Sequence, residues 1–234
     1  MHTVAIIQPS YIPWRGQFDF IHEVDCFVFL DDVQYTVRDW RNRNRIKMPD
    51  GSTRWLTIPT LGGRQQLIMD VRIDHSRKWA KQHLEALRHS YVRAPHFKRY
   101  FAELEEFYLG RQCELLVDFT IPLTELLAGW LGLAPRFRRA SEFRVEGVKD
   151  ARLIAIAAQL NAQEYLSGPT AQDYLQPALW EEAGIGLRIK DYSGYPEYPQ
   201  IATPFEPHVT LLDLVFMVGD AAPEYIWGSR RHRD

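Results

Sequence analysis

Two short apolar runs, separated by about the length of one helix, constrain the fold of this chain more than any other feature of its sequence. The runs are Val4–Ile7 and Cys26–Leu30, and polar residues flank both of them. Between them, residues 16–25 repeat apolar side chains at helical spacing. Short, wholly apolar runs joined through a helix are typical of buried neighbouring strands in a parallel sheet.

The sequence therefore predicts an α/β fold in which a largely parallel central sheet is flanked by helices and carries an inserted helical region. A chain of 234 residues with an apolar fraction of 46% fits a single domain. We expect an N-terminal α/β half at 1–75, a helical region at 76–135, a C-terminal α/β half at 136–228 and a disordered tail at 229–234. The opening strand, turn and helix give only a weak analogy to nucleotidyltransferase-like and other Rossmannoid folds, because the turn lacks a His-x-Gly-His motif.

Polar side chains follow both apolar runs, where the predicted strands end. Ligands of open α/β sheets bind outside the carboxyl ends of the strands, so these side chains are expected to line one crevice. The residues in question are Gln8, Tyr11 and Trp14 after the first run and Asp31, Asp32 and Gln34 after the second. Adjacent side chains of an extended strand point to opposite faces, so we expect one of the two aspartates to bind the ligand and the other to anchor backbone or an arginine.

A basic, amide-rich segment follows at residues 38–47. If this segment is extended, its alternate side chains share one face. The cations on that face would be Arg41, Arg43, Arg45 and Lys47. Guanidinium groups bind phosphate with two parallel hydrogen bonds, so the segment predicts a seat for a diphosphate, with Arg41, Asn42 and Arg43 as binding residues. A solvated, charged edge strand is the alternative.

Two residues are the sequence's candidates for catalysis. His83 lies one turn after Trp79 on a predicted helix, and histidine titrates near neutral pH, as a general base must. Packing against Trp79 is the alternative role for His83. Asp31 is the second candidate proton acceptor. The remaining candidates for substrate binding are Ser167 and Tyr174, near a predicted helix N-terminus, and Gln200, in an aromatic, proline-rich loop.

Three expectations concern local structure. Residues 53–58 and 67–73 read as the two strands of a β-hairpin. The third predicted helix contains Pro122 and is expected to kink or divide there. Asp213 lies in an apolar helix, and since an isolated buried carboxylate is costly, we expect it to be anchored to an arginine such as Arg43.

Composition limits the partners and the compartment. The net charge is −2, which argues against nucleic-acid binding. Cys26 and Cys113 are the two cysteines, too few for a disulfide framework or a cysteine-rich metal site. No apolar stretch approaches the ~20 residues needed to span a bilayer, and no signal region precedes the first strand. We therefore expect a cytoplasmic protein with a small-molecule substrate and no metal site of its own, although a Mg²⁺ held by one carboxylate and substrate phosphates is compatible.

Three motifs carry a family resemblance. They are Ile-Gln-Pro-x-Tyr-x-Pro-Trp-x-Gly from residue 7, Phe-x-Phe-Leu-Asp-Asp-Val-Gln-Tyr from residue 27 and Trp-Arg-Asn-Arg-Asn-Arg-Ile-Lys from residue 40. In these motifs, and in shorter matches over nearly the whole chain, the sequence resembles the WbqC-like family. Members of that family are associated with bacterial O-antigen and related surface-sugar gene clusters. The resemblance implies attachment of an acyl or aminoacyl group to an amino sugar.

The resulting functional hypothesis is a transferase that acylates the amine of a nucleotide-linked amino sugar. The cations would hold its diphosphate, and Asp31 or His83 would take the amine proton. Two alternatives stay open: a non-catalytic protein that binds sugar nucleotides or glycan precursors, and an ATP-dependent adenylate-forming ligase or nucleotidyl transferase.

Overall fold

A parallel five-stranded sheet forms the centre of the computed structural model, which describes residues 1–173 and 175–228. Its strands are β1 (Thr3–Ile7), β2 (Cys26–Phe29), β5 (Arg136–Arg139), β6 (Glu164–Ser167) and β7 (Gly186–Ile189). A separate antiparallel hairpin consists of β3 (Arg43–Lys47) and β4 (Thr53–Thr57). The helices are α1 (Arg15–His22), α2 (Trp79–Tyr91), α3 (Phe97–Gly110), α4 (Leu116–Trp130), α5 (Lys149–Gln159), α6 (Pro177–Glu182) and α7 (Leu211–Val218). The predicted α/β class with a parallel sheet is confirmed.

The order of the strands places a topological switch point in the middle of the sheet. The order is β5-β2-β1-β6-β7, and all neighbouring pairs are parallel. From β1 the chain first builds outward through β2 and β5, and it later returns to the other side of β1 with β6 and β7. Ligands of such sheets bind where the building direction reverses, outside the carboxyl ends of the strands. In this fold that point lies between β1 and β6.

Side chains alternate across the sheet and supply two hydrophobic cores. Ala5, Phe27 and Phe29 belong to the larger core, which includes residues from α1 to α4 and from α7. Val4, Ile6 and Val28 belong to the smaller core, with residues of α5 and α6. Both faces of a parallel sheet must be covered, which explains why β2 is apolar at every position and β1 at every position after Thr3.

The hairpin has a different partner from the predicted one. Residues 53–57 do form a strand, but they pair with Arg43–Lys47, inside the basic segment. Residues 67–73 contain a 3₁₀ turn at Ile68–Asp70 and isolated bridges instead of a strand. The alternation of apolar and polar residues at 67–73 was therefore misleading, because a chain that lies along the core surface also alternates between burial and exposure.

Pro122 does not divide the third helix. α4 continues through it, although a proline removes the hydrogen bond to the carbonyl four residues earlier. That carbonyl belongs to Asp118, and it accepts a hydrogen bond from the thiol of Cys113 at 3.3 Å. A side chain thus replaces the missing backbone donor, which helps the helix to remain a single element.

Asp213 is buried, as predicted, but an arginine does not anchor it. Its carboxylate accepts hydrogen bonds from the hydroxyls of Tyr91 and Tyr198, each at 2.8 Å, and from Nε2 of Gln200, also at 2.8 Å. Burial raises the pKa of Asp213, and these hydrogen bonds oppose the shift. Neutral donors therefore hold α7 to α2 and to the loop after β7.

Candidate functional site

A cavity of about 300 Å³ opens beside the carboxyl end of β1, close to the switch point. Its lining residues come from the end of β1 and the loop after it, from the first turn of α1, from residues 40–44 and from the long connection between β7 and α7. They are Ile7, Ser10, Pro13, Trp14, Gln17, Trp40, Arg41, Asn44, Tyr192 and His208. Its volume is at the small end of the range for ligand pockets, and it suits a sugar-sized group.

Aromatic rings form one side of the cavity. The indole of Trp14 packs against Tyr192 and Tyr195 with ring centroids 5.1 and 5.9 Å apart, and His208 lies 6.1 Å away. Gly16 lies against the same indole, since an ideal Cβ at this position would come within 2.2 Å of the ring. The glycine of the Trp-x-Gly motif therefore makes room for the tryptophan that faces the cavity.

Two residues that line the cavity carry hydrogen-bond donors that lack an acceptor within the described part of the chain. Gln17 is 7% exposed, and its Nε2 atom has no hydrogen-bond partner. Arg41 donates from Nη1 to Oε1 of Gln8 at 2.5 Å, but its Nε atom is buried and also has no partner. Burial lowers the pKa of Arg41, and the carboxylate of Asp39, 3.7 Å away, only partly opposes this. The cavity therefore presents donors that a ligand could satisfy.

An arginine-lined groove adjoins the cavity through Trp40. This groove, which we call the Trp55 groove, has a volume of about 360 Å³ and is lined by Arg38, Asp39, Trp40, Arg43, Arg45 and Trp55. The guanidinium carbons of Arg43 and Arg45 lie 4.3 and 5.5 Å from the centroid of the Trp55 ring. Trp40 lines both the cavity and the groove, and its ring lies 5.4 Å from that of Trp55.

The basic segment is extended from Arg43 onward, but its side chains do not act as one ladder of cations. Arg43 and Arg45 lie in the Trp55 groove, whereas Arg41 lines the cavity. Lys47 is 1% exposed and donates from Nζ to the carbonyl of Pro204 at 2.5 Å. The buried Asn42 donates to the carbonyl of Ile58 at 2.8 Å, which ties the start of the hairpin to its end.

His83 lies behind the cavity wall, in a buried hydrogen-bonded chain. Its Nδ1 atom is 2.7 Å from the hydroxyl of Tyr11, which lies 2.5 Å from the hydroxyl of Tyr108. His83 also forms a hydrogen bond with the backbone of Thr57. Burial lowers the pKa of His83 from 6.5 to about 4, so the ring is neutral at physiological pH. The Trp79 ring packs against it at 5.4 Å.

Asp31 and Asp32 both bind arginines. Asp31 is fully buried and accepts hydrogen bonds from Nε of Arg139 at 2.7 Å and from the backbone and hydroxyl of Ser141 at 2.9 and 2.8 Å. Asp32 pairs with Arg152 of α5. The structure therefore does not bring Asp31, Asp32 or His83 to the cavity, and their roles in catalysis or substrate binding stay predictions.

The other predicted residues are dispersed. Gln34 is exposed and donates to the carbonyl of Arg64 at 2.9 Å. Ser167 is buried at the end of β6, and Gln200 donates a hydrogen bond to the buried carboxylate of Asp213. Tyr174 lies outside the described residues, as does the predicted tail at 229–234. Of the predicted binding residues, Trp14 and Arg41 line the cavity, Gln8 contacts Arg41, and Arg43 lies in the Trp55 groove.

Eight of the ten residues that line the cavity were not among the predicted site residues, and Gln17, Tyr192 and His208 are three of them. Gln17 lies in the first turn of α1, and Tyr192 follows the end of β7. His208 precedes α7 and comes close to the cavity only because the chain returns from its far end. A sequence signal existed for Gln17, since a polar residue in the first turn of a helix after β1 faces the switch point. No local signal marks Tyr192.

Neither a membrane-spanning helix nor a metal-binding cluster is found in the part of the chain that the structure describes. None of its helices is long and apolar enough to cross a bilayer. No group of three or more histidine, cysteine, aspartate or glutamate side chains in these ranges is arranged to hold a metal ion.

Comparison with known proteins identifies relatives over nearly the whole chain. The model of the WbqC-like protein family matches residues 8–225. An uncharacterized protein of Mycobacterium tuberculosis is 41% identical over 228 residues, which are 97% of this chain and 98% of that protein. No solved structure matches significantly.

Proposed function

The chain belongs to the WbqC-like protein family, and from that premise we propose that it is a transferase that adds an acyl or aminoacyl group to the amine of a nucleotide-linked amino sugar. The proposed product serves O-antigen or related surface-polysaccharide synthesis. One observation carries this proposal: the sugar-sized cavity and the arginine-lined Trp55 groove share Trp40 as a common wall. A single ligand with a sugar at one end and phosphates at the other fits this arrangement.

The cavity suits the sugar. Trp14, Trp40 and Tyr192 offer flat apolar surfaces for the faces of a sugar ring. Gln17 and Arg41 offer donors for its oxygen atoms, and Ser10 adds a hydroxyl. A few polar groups among aromatic walls are the usual composition of a specific small-molecule site.

The Trp55 groove suits the phosphates. Arg43 and Arg45 are held against the Trp55 ring, so their guanidinium groups are partly ordered before any ligand arrives. The Nε atoms of both arginines are buried and have no hydrogen-bond partner among the described residues. Ordered guanidinium groups with unused donors bind a diphosphate at a lower entropic cost than mobile ones.

The transfer itself needs a group that accepts the proton of the attacking amine. His208 lines the cavity, and histidine is the residue type that exchanges protons near neutral pH. We assign this role to His208 in preference to His83, which is buried behind Tyr11 and forms hydrogen bonds with Tyr11 and with the backbone of Thr57.

Cys26 and Cys113 are both free, which supports a cytoplasmic location with reducing conditions.

Calorimetric titration with UDP-glucosamine, together with mass spectrometry after addition of activated acyl donors, tests the proposal. We expect wild type to bind the sugar nucleotide and the Arg43→Ala/Arg45→Ala double variant to bind it at least tenfold more weakly. The matched control is Arg72→Ala/Arg99→Ala, which removes two arginines that are 62% and 59% exposed and lie outside the groove. Equal affinities of the two double variants would contradict the proposed diphosphate site.

A non-catalytic binding protein is the second candidate, and one observation favours it. The two catalytic candidates of the sequence, His83 and Asp31, both have protein partners for their polar atoms. If wild type binds UDP-glucosamine but forms no acylated product with acyl-CoA, aminoacyl-tRNA or acid plus ATP, the binding protein replaces the transferase. Pyrophosphate release with an acid and ATP would instead favour the adenylate-forming alternative.

A further inference from the structure

Two of the side chains that line the cavity beside β1 carry a buried hydrogen-bond donor without an acceptor. Nε2 of Gln17 and Nε of Arg41 are both buried, and neither has a partner within residues 1–173 and 175–228. A buried donor without an acceptor costs about 1–3 kcal/mol, so two of them in side chains that line one cavity of about 300 Å³ are unusual unless a ligand satisfies them. The ligand atoms that face them must be acceptors.

The charge of the residues that line the cavity also favours a ligand with acceptor atoms. Of the described residues that line it, none is aspartate or glutamate, whereas Arg41 is a cation. The carboxylate near Arg41 is that of Asp39, at 3.7 Å, and its side chain is 30% exposed. Burial lowers the pKa of Arg41, which means that the protein only partly compensates its charge. An anionic group in the cavity would complete that compensation.

The position of Gln17 adds to this effect. It is the third residue of α1, a helix of eight residues whose N-terminal turn lies at the cavity. The N-terminus of a helix carries a partial positive charge and favours anions. Gln17 is 7% exposed, and its amide group is thus a fixed donor beside this positive end.

We propose that the group that enters the cavity carries a carboxylate, which Arg41 and Gln17 bind. This inference rests on the proposed function only in taking the cavity as the ligand site. The carboxylate belongs either to the ring of the amino sugar or to the amino acid that is to be transferred, before its activation. In both cases Arg41 supplies charge and Gln17 supplies a hydrogen bond, while the aromatic walls select for a compact group.

Matched pairs of probes that differ in the carboxylate test this inference. Glucuronate is compared with glucose, and alanine with ethylamine, by quenching of tryptophan fluorescence, because Trp14 and Trp40 line the cavity. We expect the carboxylate member of at least one pair to bind about tenfold more tightly than its neutral or amine counterpart. Preference for glucuronate assigns the carboxylate to the sugar, and preference for alanine assigns it to the amino acid. No preference in either pair would overturn the inference.

Two variants test whether Gln17 and Arg41 cause the preference for the carboxylate. Gln17→Leu removes the donor at nearly constant volume, and Arg41→Met removes the charge but retains an unbranched side chain. We expect both to reduce the preference for the carboxylate severalfold, while Arg72→Met retains it. A preference that is unchanged in both cavity variants would place the carboxylate elsewhere and overturn the inference.

A third comparison separates this inference from the proposed function. UDP-glucuronate and UDP-glucose are titrated under the same conditions. If both bind tightly and equally, and alanine is not preferred to ethylamine, the carboxylate pocket is wrong and the sugar-nucleotide site remains. If glucuronate is preferred but the UDP group adds no affinity, the carboxylate pocket remains and the proposed diphosphate site fails.

Discussion

The hydroxyl of Tyr11 lies 2.7 Å from Nδ1 of His83, in a position that water does not reach. This contact joins the loop after β1 to α2, and the 2.5 Å contact with Tyr108 extends it to α3. The backbone N–H of Tyr11 donates to the carbonyl of Trp40 at 2.9 Å. The buried chain therefore supports, from behind, the segment that carries Trp40 into the cavity wall.

The pKa of His83 predicts a pH dependence of stability. The pKa falls from 6.5 to about 4 on folding, so between these values the unfolded chain binds more protons than the folded one. The contribution of His83 to the free energy of unfolding is fully present above pH 6.5 and is lost as the pH falls towards 4, by about 3 kcal/mol in total. Urea unfolding from pH 7.5 to 4.5 should show a steeper loss for wild type than for His83→Gln.

The control for this experiment is His89→Gln, on the exposed side of the same helix. It should retain the pH dependence of wild type. The buried Asp213, whose pKa is raised, acts in the opposite direction, because its contribution is lost as the pH rises through the raised value. It is present in all three proteins, and the difference between them cancels it. Parallel curves for wild type and His83→Gln would contradict the neutral, buried state of His83.

Two hydrogen bonds of equal length, one to the buried Asp213 and one to the exposed Asp220, should contribute differently to the free energy of unfolding. Tyr198→Phe removes a 2.8 Å hydrogen bond to the buried carboxylate of Asp213, and the free energy of unfolding should fall by about 1–3 kcal/mol. Tyr100→Phe removes a hydrogen bond of the same length to Asp220, whose side chain is 69% exposed. That loss should remain below about 1 kcal/mol, because water replaces the hydroxyl. Thermal unfolding of both variants at pH 7 tests the contrast, which equal losses would contradict.

Substitution by alanine should affect two helical glycines differently: it should raise stability at Gly129 and weaken ligand binding at Gly16. Gly129→Ala in α4 meets no atom within 4 Å and should stabilise the protein by about 0.5–1 kcal/mol. Gly16→Ala in α1 should displace the Trp14 ring and weaken UDP-glucosamine binding at least tenfold. Denaturant unfolding and calorimetric titration of both variants check this. Unchanged affinity of Gly16→Ala would mean that Trp14 does not contact the ligand.

Asp31→Asn separates an anchoring role from a catalytic one. The substitution weakens the pairing with Arg139 and Ser141, and it should cost about 3 kcal/mol of stability. Below the unfolding temperature of the variant, its affinity for UDP-glucosamine should equal that of wild type, because Asp31 does not line the cavity. Reduced affinity or a selective loss of turnover in the folded variant would instead support the role predicted from the sequence.

Much of the fold was predictable because its signals are local. The apolar runs at β1 and β2 and the helical spacing between them depend on burial on both faces of a sheet, which sequence periodicity records. The same reasoning predicted a crevice at the end of β1, where the cavity lies. Trp14 and Arg41 line the cavity because they follow that strand closely in sequence or pair with its end.

The errors arose where distant segments decide the outcome. The hairpin partner of β4 depends on which segment lies beside it in space, and that segment is β3 instead of residues 67–73. The partners of Asp213 come from α2 and from the loop after β7, neither of which is close in sequence. Asp31 lies at a strand end, as predicted, and pairs with an arginine of the neighbouring strand β5, while its catalytic role stays a prediction.

The central claim is that one ligand occupies both the cavity and the Trp55 groove around Trp40. The most direct test compares the affinity for UDP-glucosamine of two variants, Trp40→Ala and Trp130→Ala. Trp130→Ala is the control, because the ring of Trp130 contacts Tyr100 and Glu103 instead. Trp40 is 41% exposed, so its removal should leave the protein folded. We predict a loss of at least tenfold, or about 1.4 kcal/mol, for Trp40→Ala and no change for Trp130→Ala. Wild-type affinity of Trp40→Ala would contradict the claim.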